Sequence, residues 1–80
     1  MADNRIKRLE KQIEAIVIAI PREEAANEYY LDLAGLCDDK GQKEIYMYLA
    51  KQELKHKIKL EEILEKLEKE LAEEVNKNNG

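Results

Sequence analysis

Apolar side chains recur at alternating steps of three and four along almost the whole chain, and the rhythm is interrupted only once. On the first segment the stripe runs Ile6, Leu9, Ile13, Ile16, Ile20, Glu23, Asn27, Tyr30 and Ala34. On the second it runs Tyr46, Leu49, Glu53, His56, Leu60, Ile63 and Leu67, then drifts to Leu71 and Val75. Residues three and four apart share one helix face, whereas a strand needs strict alternation, so the period belongs to the seam of a helical bundle. The interruption, Gly35-Leu36-Cys37-Asp38-Asp39-Lys40-Gly41, concentrates the turn-forming residues in one place. The pattern predicts an all-α chain in which residues 1–80 form one hairpin: a helix over 4–34, a turn over 35–41, a second helix over 42–76 and a frayed tail over 77–80. Asp39 is the expected N-cap of the second helix, with Gln42 completing a weak capping box. Gly35 suits the end of the first helix and Asp3 its start. Pro21 falls inside the first helix and removes one backbone hydrogen bond. Because the stripe stays in phase across it, a kink is expected rather than a break.

Two helices of this length make a single packed contact and leave a wide apolar face in water. A chain of 80 residues in that position ordinarily needs a metal or a second copy to hold together. The run Ala15–Ile20 is apolar on every side, which points to neighbours on more than one face. The expected unit is a homodimer of two hairpins forming a four-helix bundle. Charge excludes other roles. The 14 Lys+Arg and 18 Asp+Glu are interleaved, so no basic face exists for nucleic acid, and pairs such as Glu62–Lys66 and Glu65–Lys69 are expected on the solvent side. No apolar run reaches the ~20 residues a bilayer requires. The charged start MADNRIKRLEKQ carries no secretory signal, so a cytoplasmic protein without a membrane partner is expected. The single cysteine, Cys37, leaves no internal disulfide framework and no cysteine-rich metal site.

Three positions on the stripe are ionisable: Glu23, Glu53 and His56. Isolated carboxylates in an apolar seam are expensive unless paired or metal-bound. Folding the chain about Asp38–Asp39 sets residue 23 opposite residue 54, which places Glu23 level with the turn carrying Glu53 and His56. Apolar layers lie to one side (Ile16, Ile20, Leu60, Ile63) and a tyrosine-lined layer to the other (Tyr30, Tyr46, Leu49). Glu53-Leu54-Lys55-His56 is a Glu-x-x-His motif, whose spacing puts both donors on one helix face. Carboxylate oxygens with an imidazole suit iron, manganese or zinc. One hairpin supplies too few ligands for two metals, but two related by a two-fold supply four Glu and two His, the ligand set of the di-iron and di-manganese carboxylate bundles. Glu24 and Glu28 sit off the stripe and are expected as surface charges. Tyr30, two turns beyond Glu23 on the same face, either packs in the core or hydrogen-bonds a ligand carboxylate. A purely polar or pH-sensitive core is the plainer alternative to a metal centre.

The stretch from Ala19 to Ala34, with Glu23 followed seven residues later by Tyr30, and the stretch from Lys43 to His56, ending in Glu-x-x-His, together resemble the ferritin-like superfamily and within it the rubrerythrin-type domains. The likeness covers roughly residues 15–65. It implies Glu23, Glu53 and His56 as metal ligands, Tyr30 as a supporting tyrosine, and a di-iron centre, with manganese or zinc as other candidate ions. The chain has half the helices of a full ferritin-like bundle and lacks rubredoxin cysteines. In this it is similar to the encapsulated ferritins, whose half-length chains complete the site by pairing. That resemblance implies rings of dimers, Fe(II) oxidation by dioxygen at the dimer interface, iron storage or detoxification, and an encapsulin shell as partner and compartment. The segment Glu73–Gly80 shows no apolar targeting signal of the kind those proteins carry. The expected activity is therefore that of a di-iron ferroxidase. A rubrerythrin-like oxidase or peroxidase and a redox-inactive dimer stapled by metal are the alternatives.

Overall fold

The computed structural model describes residues 2–79, with side chains described over 4–78. Two helices, α1 (Ala2–Leu36) and α2 (Lys40–Asn79), pack against each other as an antiparallel hairpin. The all-α expectation holds, and both helices are longer than the period alone indicated. The turn shrinks to residues 37–39, and residues 77–79 continue α2 where a frayed tail was expected. Asp3 lies inside α1, not ahead of it.

The tight turn follows from local hydrogen bonding. The Asp39 Oδ1 accepts from the Gln42 N–H at 3.0 Å, and its carbonyl accepts from the Lys43 N–H at 3.0 Å. These are the two bonds an N-cap makes: one orphan donor satisfied by the side chain, and the first rung of the helix. At the other end, the Cys37 N–H donates to the Ala34 carbonyl at 3.3 Å and the Cys37 Sγ–H to the Leu33 carbonyl at 3.2 Å. Gly35 is not a left-handed terminator, since no described residue has positive φ. It stays helical, and the last turn closes by tightening instead. α1 also runs unbroken through Pro21, at the expense of the bond its missing N–H would have made.

The hairpin is a rod of 62 × 14 × 13 Å with a radius of gyration of 18.1 Å, against about 12 Å for a compact chain of this length. Among the described residues only Leu9, Ala34 and Ala50 are buried, and none completely. The accessible surface is 6304 Å², whereas a folded monomer of this mass exposes about 5000 Å². The excess is roughly 1300 Å², and Val17, Leu31, Ile45, Met47, Leu54, Ile58 and Ile63 are among the apolar side chains that remain exposed. Among the described residues no helix is long and apolar enough to cross a membrane.

The stripe on α2 requires a correction. The seam against α1 uses Tyr46, Leu49, Ala50, Glu53, Lys57, Leu60, Leu64, Leu67 and Leu71, while His56 and Ile63 are exposed. A position advances about 100° around a helix, so His56 and Ile63, seven residues apart, flank the seam on one side. Leu54 and Ile58 flank it on the other, the side toward which the Lys57 Nζ reaches from the seam to pair with Glu24 at 3.6 Å. The expected pairs Glu62–Lys66 and Glu65–Lys69 are not formed among the described residues. Glu62 instead lies 4.0 Å from Lys59.

Candidate metal centre

The hairpin brings Glu23, Glu53 and His56 to one level, as the fold-back about the turn requires. One donor atom from each lies within 4.8 Å of the other two. His56 Nδ1 is 3.6 Å from Glu23 Oε2 and 3.9 Å from Glu53 Oε2. These separations are too long for strong hydrogen bonds and leave room for an ion between the donors. Glu23 Oε2 is buried without a hydrogen-bond partner, an arrangement that is costly for a carboxylate unless something else satisfies it. The two carboxyls are close enough to interact. Hydrogen bonding with Glu23 pushes the Glu53 carboxyl above its ordinary value, burial and the Glu23 charge push the same way, and His56 opposes them. A carboxyl whose proton affinity a second carboxylate raises, with an imidazole alongside, is a place where a cation can replace a proton.

The donor set fits a divalent transition ion: two carboxylates and a borderline nitrogen, on rigid helices, with no thiolate. Each chain offers three candidate donors, and the His56 side chain is 59% exposed. It faces the flank that carries Ile63, so the cluster opens sideways from the hairpin. On the opposite flank Lys57 bridges to Glu24, beside a shallow cavity of about 100 Å³ lined by Glu23, Glu24, Asn27, Glu28, Leu54 and Lys57. A larger concavity lies elsewhere, at the start of α1 among Asn4, Lys7, Arg8, Lys11 and Gln12, and its lining offers no carboxylate, imidazole or thiol.

The rival carboxylates behave as surface charges: Glu24 and Glu28 are exposed. Tyr30 is half-buried and packs edge-on against Tyr29, with ring centroids 5.6 Å apart. Among the described residues no hydrogen bond joins it to Glu23 or Glu53. Two features were not singled out from the sequence. One is the Lys57–Glu24 pair. The other is a hydrogen bond from Asn27 Nδ2 to the Ala50 carbonyl, 2.7 Å long. The signal for the second was present, since an amide on an apolar stripe lies level with Ala50 by the same fold-back that aligns Glu23 with Glu53.

Comparison with known proteins agrees with this geometry. The family model for rubrerythrin matches residues 14–80. No curated protein and no solved structure matches the chain. The matched region holds the stretches that carry Glu23, Glu53 and His56, the turn and the whole of α2. Members of that family bind di-iron sites and generally act as oxidoreductases. The chain belongs to the rubrerythrin family of ferritin-like proteins.

Proposed function

We propose that two copies of this chain pair through the flank carrying His56 and Ile63, and that the shared centre oxidises Fe(II) with dioxygen in iron detoxification and storage. The observation that carries this reading is the cluster itself: three converging donors, one buried carboxylate oxygen without a partner, and an exposed imidazole on the flank of the exposed Ile63. Pairing supplies four carboxylates and two neutral imidazoles. Their charge matches that of two Fe(II) ions, so the loaded centre is close to neutral and burial penalises it least. The excess surface of roughly 1300 Å² per chain corresponds to a dimer burying more than 2000 Å², the range of obligate interfaces.

Iron bound at this centre supplies the reducing electrons, one per Fe(II), that dioxygen accepts. The chain's own residues do the rest. Glu23 and Glu53 hold and neutralise the cations, and His56 gives each metal its nitrogen ligand. Ile16, Ile20, Leu60 and Ile63 keep bulk water from one side of the centre. The Tyr30 hydroxyl stands two turns from Glu23, available to a ligand carboxylate across the pair. Lys57, tied to Glu24, holds the opposite flank together by an ion pair between the helices. A rod of this shape encloses no volume for mineral, so the ferric product needs a sink outside it. An encapsulin-type shell, with the pairs arranged as rings, is the partner and compartment we assign to that role.

Rapid mixing of metal-free protein with about two Fe(II) per pair of chains in air tests the activity. Fast ferric absorbance is expected, with precipitation at large iron excess. No oxygen-dependent absorbance at a loading that fills the site would leave a structural metal centre. Ferric absorbance that develops faster with hydrogen peroxide than with dioxygen would favour the peroxidase alternative.

A further inference from the structure

We propose that Asn27 is a positioning residue for the Glu23–Glu53–His56 cluster: bonded to the Ala50 carbonyl, its amide fixes the register of the two helical turns that carry the ligands. The proposal rests on the reading of that cluster as a metal centre.

Among the described residues, the 2.7 Å bond from Asn27 Nδ2 is the one hydrogen bond in which a side chain of one helix reaches the backbone of the other. It sits beside the site. Asn27 is one turn past Glu23, and Ala50 is three residues before Glu53. Ala50 is 2% exposed, and its small side chain lets α1 approach until the amide reaches backbone. The carbonyl it finds already belongs to the α2 ladder, so the bond seizes the helix itself and not a mobile side chain.

The cluster needs such a clamp because the turn is far away. Glu23 stands 13 residues before the end of α1 and Glu53 13 residues after the start of α2, about 20 Å at 1.5 Å per residue. Over that length the seam is held by apolar contacts, which are non-directional and tolerate small slides and rotations. A metal site tolerates about 0.5 Å. A directional bond within one turn of both ligands removes that freedom. A polar side chain at a single seam position is a known way to fix register at some expense in stability, and asparagine is also a poorer helix former than leucine. Stability and site geometry should therefore respond to Asn27 in opposite directions.

The test compares wild type, Asn27→Leu and Asn27→Ala by thermal melting of the metal-free protein and by titration with Co(II), whose visible bands report coordination geometry. Asn27→Leu is expected to melt at the same temperature as wild type or higher. It should bind Co(II) at least about 10-fold more weakly, the scale of outer-sphere losses at metal centres, with altered bands. Asn27→Ala should show the same weakening and the same altered bands, so the outcome does not hinge on the leucine variant folding. Wild-type affinity and bands in either variant would overturn the proposal. So would a fall in Asn27→Leu melting that tracks the loss of affinity with the bands unchanged, which is the signature of a merely structural amide. Wild type that takes up no Co(II), or Glu53→Ala that binds it as well as wild type, would overturn the metal-centre reading itself and this proposal with it.

Discussion

Replacing Ile63 should dissociate the paired chains, and replacing Ile58 should not. The two side chains are five residues apart on α2 and face opposite flanks of the hairpin, Ile63 with His56 and Ile58 beside Lys57. In the single hairpin Ile63 is 37% exposed and Ile58 49% exposed, so each leaves a large share of its surface for a partner. Fully burying an isoleucine contributes ~1.5–3 kcal/mol. The share of Ile63 still exposed is then worth about 0.5–1 kcal/mol per chain, or about 1–2 kcal/mol for a two-fold pair in which each change occurs twice. Ile63→Ala should raise the dissociation constant of the pair roughly 5- to 30-fold. Ile63→Asp should do far more, because two unpaired charges would be buried, each costing several kcal/mol. Ile58→Ala and Ile58→Asp should stay within about twofold of wild type, the change of charge notwithstanding. Sedimentation equilibrium over a range of concentrations measures all four, and Co(II) uptake should fail together with pairing in Ile63→Asp. If the Ile58 variants dissociate while the Ile63 variants do not, pairing uses the Lys57 flank. The shared centre would then be wrong in its geometry.

Glu23→Ala should abolish stoichiometric metal uptake after dialysis, while Glu24→Ala and Glu28→Ala retain it. Equal loss in Glu24→Ala would mean that the ligand register on α1 is wrong. His56→Ala should slow ferric absorbance by at least about tenfold in stopped flow, since each metal loses its nitrogen ligand; an unchanged rate would remove His56 from the centre. The raised Glu53 carboxyl gives a pH signature. The folded state holds its proton more tightly than the unfolded chain, so metal-free stability is greatest below the ordinary carboxylate value and falls as pH rises through the raised one. Urea denaturation of metal-free protein should show that slope, Glu53→Gln should flatten it, and metal, which displaces the proton, should reverse it. Asp39→Ala removes the N-cap of α2 and should lower stability by ~1 kcal/mol, read as a lower melting temperature with metal uptake unchanged.

The fold was legible in the period of apolar residues, and the fold-back about the turn placed Glu23 correctly against Glu53 and His56. The flanks were harder to read. A helix in a bundle touches more than one neighbour, and residues facing its own hairpin and residues left for a partner merge into one stripe. Ile63 and Leu64 are equally apolar neighbours, and only the packed structure shows that Leu64 meets α1 while Ile63 is left open. Lys57 was invisible for a different reason. Its charge reads as surface, yet the aliphatic stem lies along the seam and only the ammonium reaches out to Glu24. The helix ends were misjudged because glycine is permissive rather than obligatory at a terminus. With Cys37 and Asp39 satisfying the orphan groups, Gly35 and Gly41 could remain helical. Asn27 stood on the stripe in plain view, but an amide announces its role only when the carbonyl it meets is known.

Native mass spectrometry of protein loaded with Fe(II) without oxygen tests the central claim most directly, because the claim is that one centre is built from two chains. The predicted species is two chains with two irons, lost together with the metal in Glu23→Ala and shifted toward single chains in Ile63→Asp. Single chains that each retain iron, or pairs that form equally well in Glu23→Ala and take up no iron in wild type, would contradict a shared di-iron centre.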